Sequence, residues 1–253
     1  MARGLAFQHG SRVMLLNPPI ADTIEAEEGG ILTCVEPAGL LRLGTLFRRA
    51  GCRVELVDCL RDPMLDGRLR RHVRKVVRCG NEDEEGVRKD IWHFGLDHEG
   101  LEARLRVAEP PDLIAVSTDF TWYAEPTTEA IAICKRLFPR ARVVRGGNLA
   151  TLCPEEAARS GADEVFAGDV EGAPFLPTAL DLMVGPHEVA SLRLTKGCPY
   201  HCSYCATPLL NDSRVLWREP ADALDEIRAK RDDLGVTTFN LFDDFVLYRR
   251  TRC

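Results

Sequence analysis

Three cysteines constrain this chain more than any other feature. They fall within eight residues of the stretch Thr195-Lys196-Gly197-Cys198-Pro199-Tyr200-His201-Cys202-Ser203-Tyr204-Cys205, spaced C-x3-C-x2-C. Three thiolates on one tight loop suit three irons of a cubic four-iron, four-sulfur cluster, with the fourth iron left open to an outside ligand. The competing reading is a structural zinc knot with His201, His187 or Cys253 as fourth ligand. Zinc knuckles usually pair their cysteines at a shorter first spacing. The apolar run Val189 to Leu194 delivers the chain to the loop as a strand.

The residues before the loop alternate between strand and helix. Short apolar runs predict strands at Arg12–Asn17, Arg53–Asp58, Asp112–Ser117, Ala141–Arg145 and Glu164–Ala167. Between them, helical spacing predicts helices over Ala38–Ala50, Pro126–Leu137 and Pro154–Arg159. That alternation is the pattern of a Rossmann-like, flavodoxin-like parallel α/β sheet, which binds ligands beyond the carboxyl ends of its strands. The acidic, Gly-rich segment Ala21–Thr33 reads as a loop. Residues 61–109 break the rhythm and read as a helical insertion, with helices near Leu69–Val77 and Glu99–Val107. The basic run from Arg68 to Arg78 reads as a solvated face, because the acids Glu82 to Glu85 follow at once. Asp58 reads as a solvent-facing strand end.

After the cysteine loop, Pro220 opens a helix that runs to Leu234, with Leu224, Ile227 and Leu234 on its inward stripe. Val236–Phe242 is a second strand, and Asp243 and Asp244 end it. Strand, helix, strand is the start of a barrel unit, whose strand ends carry working groups. The expected boundaries are residues 1–171 for the α/β domain, 172–186 for a Pro-rich linker and 187–253 for the barrel-type segment.

On the cysteine loop, with aromatic Tyr204 before its last cysteine, the chain resembles the radical S-adenosylmethionine (SAM) enzymes. The resemblance implies a 4Fe-4S cluster on Cys198, Cys202 and Cys205. It implies SAM on the open iron, an electron from an external donor, and a deoxyadenosyl radical that attacks a substrate. Tyr204 and Asp243 would lie against SAM. The α/β part, with Ser117 and Thr118 after its third strand and Gly146-Gly147 after its fourth, resembles the cobalamin-binding domain carried by one large class of these proteins. The contexts Thr121-Trp122-Tyr123 and Gly147-Asn148-Leu149-Ala150-Thr151-Leu152-Cys153-Pro154-Glu155 also match that class. There the serine contacts the nucleotide tail, and the paired glycines let the backbone approach the ligand.

Two departures stand out. Asn17-Pro18-Pro19 follows the first strand where the cobalamin fingerprint has Asp-x-His-x-x-Gly, so the resemblance implies cobalamin held without a histidine on cobalt. Asp119 stands where the class has leucine. Full-length members perform reactions such as methyl transfer to unreactive carbon; the sequence names neither the substrate nor a catalytic residue.

Other classes are disfavoured. The formal net charge of −6 gives no general attraction to nucleic acid. No apolar stretch reaches the roughly 20 residues of a membrane-spanning helix, and the start carries no signal-peptide pattern. Ten cysteines in a chain of this kind are not a disulfide framework, and the expected setting is the cytoplasm. Six of the cysteines outside the loop, Cys34, Cys52, Cys59, Cys79, Cys134 and Cys153, read as small buried hydrophobes. Only 67 residues run from His187 to Cys253, against about 200 for a complete barrel. The expectation is therefore a truncated product, a fragment or one piece of a split protein: an enzyme whose barrel a C-terminal polypeptide completes or, as alternatives, a non-catalytic corrinoid or iron–sulfur binding module or an inactive remnant.

Overall fold

A computed structural model describes residues 7–22, 36–63, 71–79, 87–118, 123–184, 188–211 and 214–245, and of 71–79 and 87–90 the backbone. Strand β1 (Arg12–Asn17) lies at the heart of the fold, with β3 (Arg53–Asp58) on one side and β6 (Leu113–Ser117) on the other. Strands β7 (Arg142–Gly146) and β8 (Glu164–Val165) extend the sheet, giving the order β3-β1-β6-β7-β8, parallel throughout. This is the doubly wound order 2-1-3-4-5 of flavodoxin-like sheets, as the alternation predicts.

The apolar runs of β1, β6 and β7 are continuous because both faces of these strands are covered. Met14, Leu16, Ile114, Val116 and Val143 face α2 (His98–Arg106) and α3 (Ala124–Leu137), where they meet Leu101, Leu105, Ala130, Ile131 and Cys134. Val13, Leu15, Leu113, Ala115 and Val144 face α1 (Ala38–Arg49), where they meet Leu40 and Phe47. The short helices α4 (Asn148–Leu152) and α5 (Pro154–Ala158) join β7 to β8. Asp97 caps α2 by accepting from the Gly100 N–H at 2.8 Å, which satisfies one orphan donor of the first turn.

Residues 61–109 depart from expectation. The stretch expected as a helix near Leu69–Val77 is instead β4 (Arg71–Cys79), antiparallel to β5 (Val87–Phe94), with β2 (Ile20–Asp22) on the far side of β5. Val73, Val76 and Val77 are β-branched, and β-branched residues favour a pleated surface over a helix. The register shifts between Val73 and Lys75, so the pattern carries a bulge that blurs its period of two. The second expected helix is present as α2. It covers the main sheet instead of standing apart as an insertion.

The Pro-rich stretch after β8 lies along α1. Leu41 O accepts from Ala179 N at 3.1 Å, and the Thr45 hydroxyl donates to Pro177 O at 2.6 Å. A Cβ on Gly44 would sit 2.9 Å from Leu182 Cδ1, so α1 and this stretch touch closely.

Beyond it, β9 (Val189–Leu192) pairs in parallel with β12 (Thr238–Leu241), joined through α7 (Pro220–Leu234). This is the expected strand, helix, strand unit. The inward face of α7 is not the expected leucine stripe. Leu224 is 50% exposed, whereas Ala223, Glu226 and Lys230 are buried. The charges lie inside because they are mutually paired. Lys230 Nζ donates to Glu36 Oε1 at 2.5 Å and to Ser191 O at 2.5 Å, and lies 3.1 Å from Glu226 Oε1. Glu226 also pairs with Arg218 and accepts from the Thr178 hydroxyl at 3.3 Å. Burial pushes the Glu226 carboxyl up, but the field of Lys230, Arg42 and Arg218 outweighs it and holds the pKa below the usual value.

Removing one partner of such a pair leaves an uncompensated buried charge. Lys230→Met should therefore lower unfolding free energy by about 3–5 kcal/mol. Adding Glu36→Gln to that variant should recover part of the loss. Urea denaturation of the two variants measures both effects, and a Lys230→Met chain as stable as the wild type would show that the network contributes little.

Candidate functional site

The cysteine loop hangs from β10 (Thr195–Lys196), which pairs with β11 (Leu216–Trp217) in a two-stranded antiparallel ribbon. Its root is set by two carboxylates at the end of β12. Asp243 Oδ1 accepts from Leu194 N at 2.9 Å, from the Thr195 hydroxyl at 2.8 Å and from Thr195 N. Asp244 Oδ2 accepts from Gly197 N at 2.8 Å. Gly197 has φ +87°, and a Cβ there would sit 1.8 Å from Arg214 O. Only glycine fits this turn. Tyr200 packs edge-on against Phe245, with ring centroids 5.3 Å apart. The loop is thus held at its root by the second strand of the unit.

The three thiols face outward. Cys198 is half-buried and Cys202 and Cys205 are exposed. Cys205 N donates to Cys202 O at 3.0 Å, which folds the second half of the loop. Hydrogen bonds from the Thr207 hydroxyl and backbone N–H hold the Cys205 thiol below its ordinary pKa. Tyr204 is 90% exposed, and its phenol is pushed up by the Cys202 side chain. Among the described residues, no group of three His, Cys, Asp or Glu side chains is gathered tightly enough to hold a metal ion. The donor set matches an iron–sulfur loop in residue type and spacing; the geometry does not converge the sulfurs. Asp243, expected against SAM, spends Oδ1 on the loop backbone, and its buried Oδ2 has no hydrogen-bond partner.

At the sheet, Ser117, Gly146 and Gly147 come together at the carboxyl ends of β6 and β7, where they line a cavity of about 150 Å³. Thr118 is buried behind them, its N–H donating to Gly146 O at 3.2 Å. Gly147 has φ +93°, and a Cβ there would fall 2.5 Å from Thr118 O. The close approach that requires this glycine is therefore to the β6 loop backbone, and the space for a ligand lies on the other side. Asp58, expected at a solvent-facing end, is engaged by Asn17 Nδ2 at 2.7 Å, Leu60 N at 3.1 Å and Arg61 Nη1 at 2.9 Å. Asp119, Thr121 and Trp122 lie outside the described residues.

A larger cleft of about 710 Å³ adjoins the cavity and shares Gly168, Asp169, Val170, Pro174 and Lys196 with it. Its far wall is Leu209, Leu210 and Asn211 of α6 (Thr207–Asn211), with Arg214 and Leu216 beside them. Lys196, two residues before the first loop cysteine, pairs across it with Asp169. Lys196 lines both, so the root of the cysteine loop borders the cavity at the glycine rim as well as the larger cleft, which is of a size that takes a small-molecule ligand. Sequence reasoning missed Asp169 and Lys196, since an isolated acid and base carry no spacing signal.

Two tests follow from this geometry. Gly197→Ala should disrupt the loop root and lower the thermal midpoint. Gly39→Ala, where a Cβ would meet nothing within 4 Å, should be near neutral. Differential scanning measures both. The thiols should also divide by reactivity. Burial raises Cys59 well above its usual value and Cys134 to about 12, and only the thiolate is nucleophilic. At pH 8, in the native chain without metal, iodoacetamide should label Cys202, Cys205 and exposed Cys153 while sparing Cys59 and Cys134. Peptide mass mapping reads the order. Cys153 thus departs from the expectation that it is buried. The side chains of Cys34 and Cys79 lie outside the described residues.

Comparison with known proteins agrees with this arrangement. Residues 82–174 match the B12-binding domain family. A 64-residue segment is 40% identical to the bacteriochlorophyllide d C-12(1)-methyltransferase of Chlorobaculum tepidum, covering 24% of this chain and 14% of that protein. The fold is similar to that of the radical S-adenosylmethionine methyltransferase TsrM from Kitasatospora setae, solved with tryptophan substrate and the SAM analogue aza-SAM. That match has a TM-score of 0.53 and 18% identity over 93% of this chain and 48% of that one. The chain thus spans less than half the length of either protein. Among the described residues no helix is long and apolar enough to cross a membrane. Residues 82–174 thus match the B12-binding domain family, and the chain as a whole has a fold similar to that of a radical SAM methyltransferase.

Proposed function

We propose that this chain serves B12-dependent radical SAM chemistry, with methyl transfer to a small-molecule substrate as the reaction class. In this reading Cys198, Cys202 and Cys205 would hold a 4Fe-4S cluster, which would supply one-electron reduction of SAM. Cobalamin occupies the cleft, with Ser117, Gly146 and Gly147 at its margin and no histidine on cobalt. The domain division at 1–171, 172–186 and 187–253 follows from the same reading, as does the need for an external electron donor.

The observation that carries it is a pair of adjoining cavities. Lys196, at the root of the cysteine loop, lines both the 150 Å³ cavity at the glycine rim and the 710 Å³ cleft beside it. Radical methyl transfer needs both reagents within reach of one substrate, and adjoining spaces meet that requirement. The chain's own residues act by positioning. Asp243 and Asp244 fix the loop backbone. Thr207 favours the thiolate at Cys205, the form in which a cysteine ligates metal. Exposed Tyr204 stands beside the cysteines and would cover a bound cofactor, with Asp243 Oδ2 left for a polar contact to SAM.

Anaerobic reconstitution with iron and sulfide tests the reading. The purified chain should turn brown with about four irons, and Cys202→Ala should lose the colour and most of the iron. Added SAM should perturb the electron paramagnetic resonance signal of the reduced cluster. A colourless chain holding a single zinc would overturn the proposal.

A further inference from the structure

The 150 Å³ cavity is smaller than the roughly 300–1,000 Å³ of a site for a whole small-molecule ligand. It has room for one functional group, and its walls indicate which. Arg42, Arg193 and Lys196 all line it, against Asp169 as its acid. Lys196 pairs with Asp169, which leaves two guanidinium groups in excess. Arg193 Nε donates to Phe242 O at 3.0 Å. Arg42 is only 7% exposed, its buried Nε has no hydrogen-bond partner, and it forms no ion pair among the described residues. A buried polar group left unpaired is costly, and a buried cation more so.

The start of α1 provides a second, independent observation. The helix is 12 residues long, its N-cap Pro37 offers no side-chain bond, and its first turn has no acid. Ala38 N is engaged by Glu36 O and Leu41 N by Pro37 O. Gly39 and Leu40 line the cavity, and their N–H groups have no acceptor among the described residues. First-turn N–H groups at the positive end of a helix favour an anion. Burial lowers the Arg42 pKa, as does Arg193, while Glu226 and Glu36 offset this. The pocket therefore gains from added negative charge.

We propose that this cavity is an oxyanion subsite sized for one phosphate group, bound by Arg42 and the first turn of α1. The group comes either from free phosphate or from the phosphodiester of a corrinoid's nucleotide tail. The second source rests on the corrinoid reading above; the subsite itself does not.

The test uses the full chain and three probes. They are inorganic phosphate against chloride at equal ionic strength, hydroxocobalamin, and cobinamide, which lacks the nucleotide tail and its phosphate. Phosphate should raise the thermal midpoint beyond chloride. Arg42→Met should weaken phosphate binding by about 10-fold or more, as losing a hydrogen bond to a charged group does, while Arg42→Lys keeps part of it. For the phosphodiester source, cobalamin should bind about 10-fold tighter than cobinamide. Phosphate should compete with cobalamin alone, and Arg42→Met should erase the difference. Phosphate binding through Arg42 with no binding of either corrinoid would keep the subsite, assign it to free phosphate and overturn the corrinoid reading. Equal binding of both corrinoids with no phosphate effect would overturn the subsite and leave the corrinoid reading standing. Should Arg42→Met lose its native circular dichroism, the wild-type phosphate and competition measurements decide alone.

Discussion

One buried ammonium joins the two parts of the molecule. Lys230 comes from α7, yet its partners are Glu36 just before α1, Ser191 on β9 and Glu226 on its own helix. Burying a lone ammonium would be prohibitive, and the two carboxylates make it tolerable. The arrangement is directional in a way that apolar packing is not. It fixes α7 against β9, and both against the entry to α1. The cavity at the sheet ends and the cysteine loop are carried by these same elements, so their separation depends on this contact.

Local patterns reveal the sheet and hide the charges. The runs Val13 to Leu16 and Leu113 to Val116 are apolar at every position because both faces are covered, and such runs are readable in isolation. Arg71 to Cys79 misleads because its basic residues recur at nearly helical intervals, while the opposing strand that fixes its conformation lies in Val87–Phe94. The α7 stripe misleads for a related reason. Charged residues on a helix ordinarily mark the solvent face, and nothing local in Glu226 or Lys230 shows that Arg218 and Glu36 wait on the other side.

The candidate site divides along the same line. That the three cysteines share one loop is legible because spacing is a local property. That Ser117 and Gly146-Gly147 meet at the strand ends is legible because the alternation of strand and helix fixes where the parallel strands stop. Asp243 could be placed at a strand end, but its hydrogen bonds to Leu194 and Thr195 span 48 or 49 residues. Arg42 was hidden inside an ordinary amphipathic helix. The segment around Ala179 packs along α1, a covering that only tertiary structure reveals.

The Asp243 carboxylate has a mechanical consequence. Through one oxygen it ties the tip of β12 to the base of the cysteine loop, so strand and loop behave as a single lever. A molecule that nudges the strand tip need not reach the sulfurs to move them. Displacement at one end is transmitted as a tilt at the other, since stiff hydrogen-bonded elements carry strain across a fold.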